Sequence, residues 1–223
     1  MNIELPPLLH GLAPDHLADI VGGMGQPGYR AKQLAEWMYR HHAMDWGTMS
    51  NLPGTLLTSL AERFDPCGLT LQERQCSQDG TRKYLFELRD GQSIESVMIP
   101  MEQHATFCVS SQVGCAMACS FCATARGGLV RQLSRGEIVE QVQLLALDLM
   151  ADPVEELGDR AFNVVFMGMG EPLDNVDEVA GALKILTHTD GLAMSPRRIT
   201  ISTSGHAEGL RAFLDLRLPV GLT

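Results

Sequence analysis

The sequence contains no apolar run approaching the roughly 18 residues that a membrane-spanning helix needs, so a membrane protein is not expected. Its start, MNIELPPLLHGLAPDH, lacks the basic n-region and apolar core of a secretory leader. Both absences predict a cytoplasmic protein. There is no internal repeat, low-complexity segment or long flexible linker, which sets repeat arrays and disordered tethers aside. Nor is there a surplus of basic charge. Lys and Arg number 17 against 27 Asp and Glu, a formal charge of -10, and this argues against a protein that grips nucleic acid through overall charge. The imbalance is uneven, however: residues 66–135 hold 7 basic and 6 acidic side chains, whereas residues 136–223 hold 6 and 14.

What is present is enough apolar material, 45% of 223 residues, to bury one core plus a smaller partner domain. Residues 1–65 read as a helical domain, with Leu34, Trp37 and Met38 following Tyr29 and Ala31 at helical spacing. Residues 66–103 change to strand texture. KYLFELRDGQSIESVMIP alternates about Asp90-Gly91, a dipeptide suited to a hairpin turn. From residue 104 to 223, strands and helices alternate: HATFCVSSQ, a helix opened by a Ser134/Glu137 capping box, FNVVFMG, VDEVAGALKILTH, RRITISTSG, AEGLRAFLDL and LPVGLT. Such β-α-β-α order predicts an α/β fold with a parallel sheet, doubly wound or part of a barrel. The opening helix is expected to bury Ile138, Val142, Leu145 and Leu149.

Six cysteines in a cytosolic chain point to metal or catalysis rather than to disulfides. Cys115, Cys119 and Cys122 are spaced C-x3-C-x2-C on a glycine-bounded loop. Structural zinc normally takes four protein ligands, and no fourth cysteine or histidine stands at finger spacing. Three thiolates favour an iron-sulfur cubane whose fourth iron stays open; zinc is the alternative. Arg126, Arg131 and Arg135 flank the loop, either facing a phosphate or solvated. Gly168, Gly170 and Glu171 follow a strand, where parallel α/β folds bind ligands. Ser202, Thr203 and Ser204 close the next strand, as ribose contacts or helix caps.

The spacing of the three cysteines, with Phe121 before the last, resembles the signature of the radical S-adenosylmethionine superfamily. That resemblance implies a partial (β/α) barrel, a [4Fe-4S] cluster on the three cysteines and S-adenosylmethionine chelated to the open iron, to be split into a 5'-deoxyadenosyl radical. Gly170-Glu171-Pro172 resembles the superfamily's cofactor motif, although Met169 replaces its first glycine. It implies cofactor contacts at Gly170, Glu171 and Ser202. GYRAKQLAEWMY, DGTRKYLFEL, IESVMIP, CVSSQVGCAMACSFCATA, GMGEPLDN and ISTSG occur in the order seen in RlmN-type adenine methyltransferases. This closer resemblance implies methylation of adenine C2 in 23S rRNA and tRNA, an RNA-recognising N-terminal domain, a monomer, and an electron donor such as flavodoxin or ferredoxin. By position it implies catalytic roles for Cys108 and, as a carboxylate base, Glu95. Read without it, Cys108 is a buried strand cysteine and Glu95 a solvated acid. Cys67 and Cys76 match no motif.

The chain stops at an apolar segment that reads as its fourth parallel strand, and a bare edge there is unusual. We therefore expect that a C-terminal portion carrying the family's methyl-bearing cysteine is missing or supplied by a partner, and that this chain is inactive by itself. Two other readings are a Cfr-type methyltransferase acting at C8 and a non-catalytic metal-cluster protein that binds RNA.

Overall fold

The computed structural model of the chain describes residues 5–154 and 162–223; the first four residues of the expected helical domain lie outside them. Apolar residues at helical spacing form α1 (Pro14–Gly23), α2 (Tyr29–Tyr39) and α3 (Gly54–Ala61). Pro14 sits in the first turn of α1, where its missing N–H is not needed. Leu17, Val21, Leu34, Met38, Leu56 and Leu60 belong to one core and are fully buried. Tyr29 falls outside this stripe: it is exposed, with the Arg30 guanidinium 4.9 Å from its ring centroid.

The strand region holds the expected hairpin of β2 (Arg82–Leu88) and β3 (Ser93–Pro100), turning at Asp90-Gly91, and one further strand before it, β1 (Leu69–Cys76). In β1 only Leu69 is buried, because the strand lies at a sheet edge. It therefore shows no alternation that sequence reading could detect. β3 pairs antiparallel with β4 (Ala105–Cys108), and β4 pairs parallel with β7 (Asn163–Phe166). The same direction continues through β8 (Ile199–Ile201) and β9 (Gly221–Leu222), completing a seven-stranded mixed sheet.

Cross-strand partners share a face. Tyr84, Phe86, Ile94, Met98, Phe107, Val164, Phe166, Ile199 and Ile201 line the buried face. It is covered by α4 (Arg135–Ala151), α5 (Val176–Thr187) and α6 (Ala207–Asp215). The capping box that opens α4 forms as expected, and Ile138, Val142 and Leu145 are fully buried, each worth about 1.5–3 kcal/mol. Leu149 is only half-buried.

The helix is buried on its polar side as well. Glu140, Gln141 and Gln143 have no exposure, and Asp148 holds Arg74, Arg82 and Tyr84. Glu140 reaches the helical region: its Oε1 lies 3.4 Å from His10 Nδ1, both side chains fully buried, while its Oε2 accepts the Gly68 N–H at 2.7 Å. Cys67 lies beside the same carboxylate, and burial together with that negative neighbour pushes its thiol up to about 12. Cys76 is exposed. Among the described residues, no helix is long and apolar enough to cross a membrane.

Candidate active site

The other face of the sheet is half-buried and largely polar. Cys108 lies opposite Val97, two residues beyond Glu95, so Glu95 and Cys108 share this face, which continues through Val165 and Thr200. Lys83 Nζ stands 3.1 Å from Glu95 Oε1. Burial raises the Cys108 thiol, only partly opposed by a hydrogen bond from the Met167 backbone, so at neutral pH it carries its proton.

Beyond β4, the VSSQ segment leads into a two-stranded ladder of β5 (Gln112–Gly114) and β6 (Leu129–Gln132), which pins the base of the cysteine loop. The Cys115 N–H donates to the Gly128 carbonyl at 2.9 Å, and the Cys122 N–H to the Cys119 carbonyl at 3.0 Å. Gly114 has φ +77°, and a Cβ there would strike the Gly128 carbonyl oxygen; only glycine closes this neck. Ala118, between the first two cysteines, is held at φ 50°, a conformation costing about 1–2 kcal/mol for a non-glycine residue. Phe121 is 90% exposed.

Burial raises the Cys115 thiol, and the neighbouring Cys119, Cys122 and Glu171 add to that rise against a hydrogen bond from the Met117 N–H. The Cys122 thiol is lowered, chiefly by the Ala125 backbone. The sulfurs therefore lie within one another's electrostatic reach, so that their thiolate forms would oppose one another; a cationic cluster would relieve that opposition, and three soft donors on one pinned loop suit it. Among the described residues, no three His, Cys, Asp or Glu side chains stand close enough to chelate one ion as they are. The loop thus offers the donor set without a finished cage, as in sites whose ligands are drawn together by the metal.

Gly170 and Glu171 follow β7 in a turn laid against the VSSQ segment. Gly170 has φ +99°, and a Cβ there would sit 2.5 Å from the Cβ of Gln112, whose Oε1 accepts the Glu171 N–H at 2.8 Å. The Glu171 carboxylate accepts from the Leu173 N–H at 3.1 Å and from both the N–H and hydroxyl of Ser204 at 2.8 Å. Burial works to raise this carboxyl, but the hydrogen bonds from Ser204, Thr203 and Leu173 prevail and hold it below the usual carboxylate range. Ser204 is therefore neither a helix cap nor a free hydroxyl; it seats the end of β8 on Glu171. Ser202 is half-buried beside it, with no hydrogen-bond partner for its hydroxyl among the described residues.

Two of the three arginines flanking the loop are already committed. Arg131 binds Asp90 and, bidentately, Glu137; Arg135 binds Glu178. Neither the phosphate-facing nor the solvated alternative describes them, because carboxylates from neighbouring elements reach them first. Arg126 is exposed. Sequence reading overlooked the buried polar residues beneath the loop: Gln112, and Asn175, whose Nδ2 donates to the Ser111 and Leu133 carbonyls at 2.8 Å each. The signal for Gln112 is a polar residue following an apolar strand, and for Asn175 a polar residue just before a helix.

Residues 109–220 match the family model of the radical SAM superfamily, and residues 8–65 that of the ribosomal RNA large subunit methyltransferase N-terminal domain. The chain belongs to the radical SAM superfamily. Enzymes of this superfamily work with a [4Fe-4S] cluster and S-adenosylmethionine. The chain is 46% identical over 219 residues to the dual-specificity RNA methyltransferase RlmN of Campylobacter hominis, covering 92% of this chain and 60% of that one. It is 47% identical over 197 residues to that of Geobacter sulfurreducens, covering 88% and 52%. A radical SAM methyltransferase from Sphaerobacter thermophilus superposes with TM-score 0.90 at 39% identity, covering 97% of this chain and 62% of that one. This radical SAM chain thus spans about 60% or less of the length of the curated relatives it matches.

Proposed function

We propose that the chain takes part in radical S-adenosylmethionine-dependent methylation of the C2 carbon of adenine in 23S rRNA and tRNA. The observation that carries this reading is the register that sets Cys108 and Glu95 on one open polar face, in a chain whose two parts match a radical SAM domain and an rRNA-methyltransferase N-terminal domain.

In this reading, Cys115, Cys119 and Cys122 hold the cluster, while Gly170, Glu171 and Ser202 border S-adenosylmethionine. The bound pair supplies the one-electron chemistry that a weakly nucleophilic aromatic carbon requires. The remaining work falls to side chains on the open face. Cys108, whose thiol is raised by burial, helps release the product. Glu95, the carboxylate on the same face, accepts a proton. The helical region, residues 1–65, contacts the RNA; residues 66–103 extend the sheet; residues 104–223 carry the chemistry. The setting is the cytoplasm, with a monomer reduced by a small electron carrier such as flavodoxin or ferredoxin.

The test is made in the source cell. With the gene deleted, 2-methyladenosine is lost from digested 23S rRNA and tRNA, and it returns with the wild-type gene but not with Cys108→Ala. Appearance of 8-methyladenosine instead places the reaction at C8. Unchanged nucleosides, with zinc alone in anaerobically purified protein, favour a non-catalytic RNA-binding role.

A further inference from the structure

Three segments carry the candidate chemistry: β3 with Glu95, the end of β4 with Cys108, and the turn after β7 with Gly170 and Glu171. One buried hydroxyl joins all three. Ser110, two residues past Cys108 and without exposure, donates from Oγ to the Glu95 carbonyl at 2.6 Å and accepts at Oγ from the Met169 N–H at 2.8 Å. The Ser110 backbone is clamped from the opposite side by Gln141 of α4, also without exposure. Gln141 Oε1 accepts the Ser110 N–H at 2.7 Å, and its Nε2 donates to the Ser110 carbonyl at 3.1 Å. The same Oε1 accepts the Ser96 hydroxyl at 2.8 Å, and Nε2 also reaches the Glu137 carbonyl at 3.1 Å.

Every polar atom of both side chains thus has a partner, and apart from the bond to the Glu137 carbonyl within α4 these partners lie on β3, at Ser110 or in the turn after β7. Geometry leaves little slack, since a Cβ at Gly168 would lie 2.7 Å from Ser110 Oγ and from the Val109 carbonyl oxygen. A hydroxyl that serves as donor to one strand and acceptor to another fixes their separation and their rise along the sheet. Hydrophobic packing alone does neither, because it is non-directional.

We propose that Ser110, clamped by Gln141, is the positioning residue of the site: it sets the height of the Gly170-Glu171 turn relative to Cys108 and Glu95. Both side chains are without exposure and their bonds go to protein groups, so they act through the strands and the turn that they hold. The inference rests on the cofactor reading given above, in which that turn borders S-adenosylmethionine.

Ser110→Ala tests it against Asp148→Asn, which breaks a different contact between α4 and the sheet, away from the site. Three quantities are compared at equal fractions folded: deuterium uptake across residues 167–171, the alkylation rate of Cys108 by iodoacetamide, and the S-adenosylmethionine concentration that half-shifts the electron paramagnetic resonance spectrum of the reduced cluster. Ser110→Ala is expected to speed the uptake, change the alkylation rate and raise that concentration by about tenfold, the factor that one lost hydrogen bond commands. Asp148→Asn is expected to lower the melting temperature and leave all three alone. Ser96→Ala, which loosens Gln141 while sparing the Ser110 hydroxyl, should move them in the same direction but less, and serves if Ser110→Ala does not fold. Equal behaviour of the Ser110 and Asp148 variants overturns the inference. A wild-type cluster that never responds to S-adenosylmethionine overturns the cofactor reading itself, and Ser110 loses its role with it.

Discussion

The loop bearing Cys115, Cys119 and Cys122 and the seat beneath it at Ser110 and Gln141 are close in sequence and oppositely built. In the loop, an aromatic ring stands 90% exposed, an alanine is held in a left-handed conformation, and three thiols lie near one another without forming a cage. In the seat, serine and glutamine are fully buried and every polar atom has a partner. The loop is held by backbone bonds at its neck, the seat by side-chain bonds throughout. The same contrast extends to the joint at His10 and Glu140, which is buried like the seat but leaves both imidazole nitrogens without a hydrogen bond.

The sharpest way to break this comparison is Cys119→Ala. Anaerobically reconstituted protein should drop from about four irons per chain to background, while the metal-free chain should unfold within about 0.5 kcal/mol of wild type, as replacements away from packed features do. Retained iron would undo the ligand assignment; a collapsed metal-free fold would show that the loop is part of the scaffold.

At the joint, His10→Ala should lower stability in urea unfolding, because it opens a cavity beside the buried Glu140. Replacing the pair together, as His10→Phe with Glu140→Leu, should recover much of that loss. In the seat, Gln141→Leu leaves the Ser110 N–H and carbonyl unpaired and should cost about 3 kcal/mol. A loss under about 1 kcal/mol would mean that the seat is looser than its hydrogen bonds indicate. The N-terminus of α4 is a smaller case: Ser134→Ala removes one half of the capping box, and the expected loss is about 1 kcal/mol.

A pH series separates Glu171 from the rest. Its carboxyl is depressed in the folded protein, so the stability it contributes is fully present above the unfolded glutamate value of about 4.3. That contribution is lost as pH falls through the lower folded value. Glu171→Gln should therefore flatten the acid side of the stability profile below about pH 4.3 without changing its slope near neutrality. An acid limb identical to that of wild type would place the depressed carboxyl elsewhere, with Glu178 and Asp148 the next to examine.

Much of the fold could be read from periodicity. The helices of the first 65 residues, the capping box at Ser134 and the alternation after residue 104 all correspond to elements of the structure. Strand β1 was illegible because an edge strand exposed over seven of its eight residues carries no pattern of burial. The polar residues Glu140, Gln141 and Gln143 of α4 carry no local sign of burial; they are buried because the sheet and the helical region both pack against the helix. Of the site, spacing revealed the cysteine loop and the Gly170-Glu171 turn, since both depend on short local sequences.

The sequence by itself determined which residues lie within one turn or loop of one another: the thiol set, the glycine neck, the cap and the helical stripes. Local sterics and periodicity act over a few residues and are written in their order. Only the tertiary structure decided that Cys108 shares a face with Glu95, that Arg131 and Arg135 are taken by carboxylates, and that Ser110 and Gln141 meet under the loop. Those relations depend on strand register and on which helix face closes over the sheet, and burial of the whole core fixes both together.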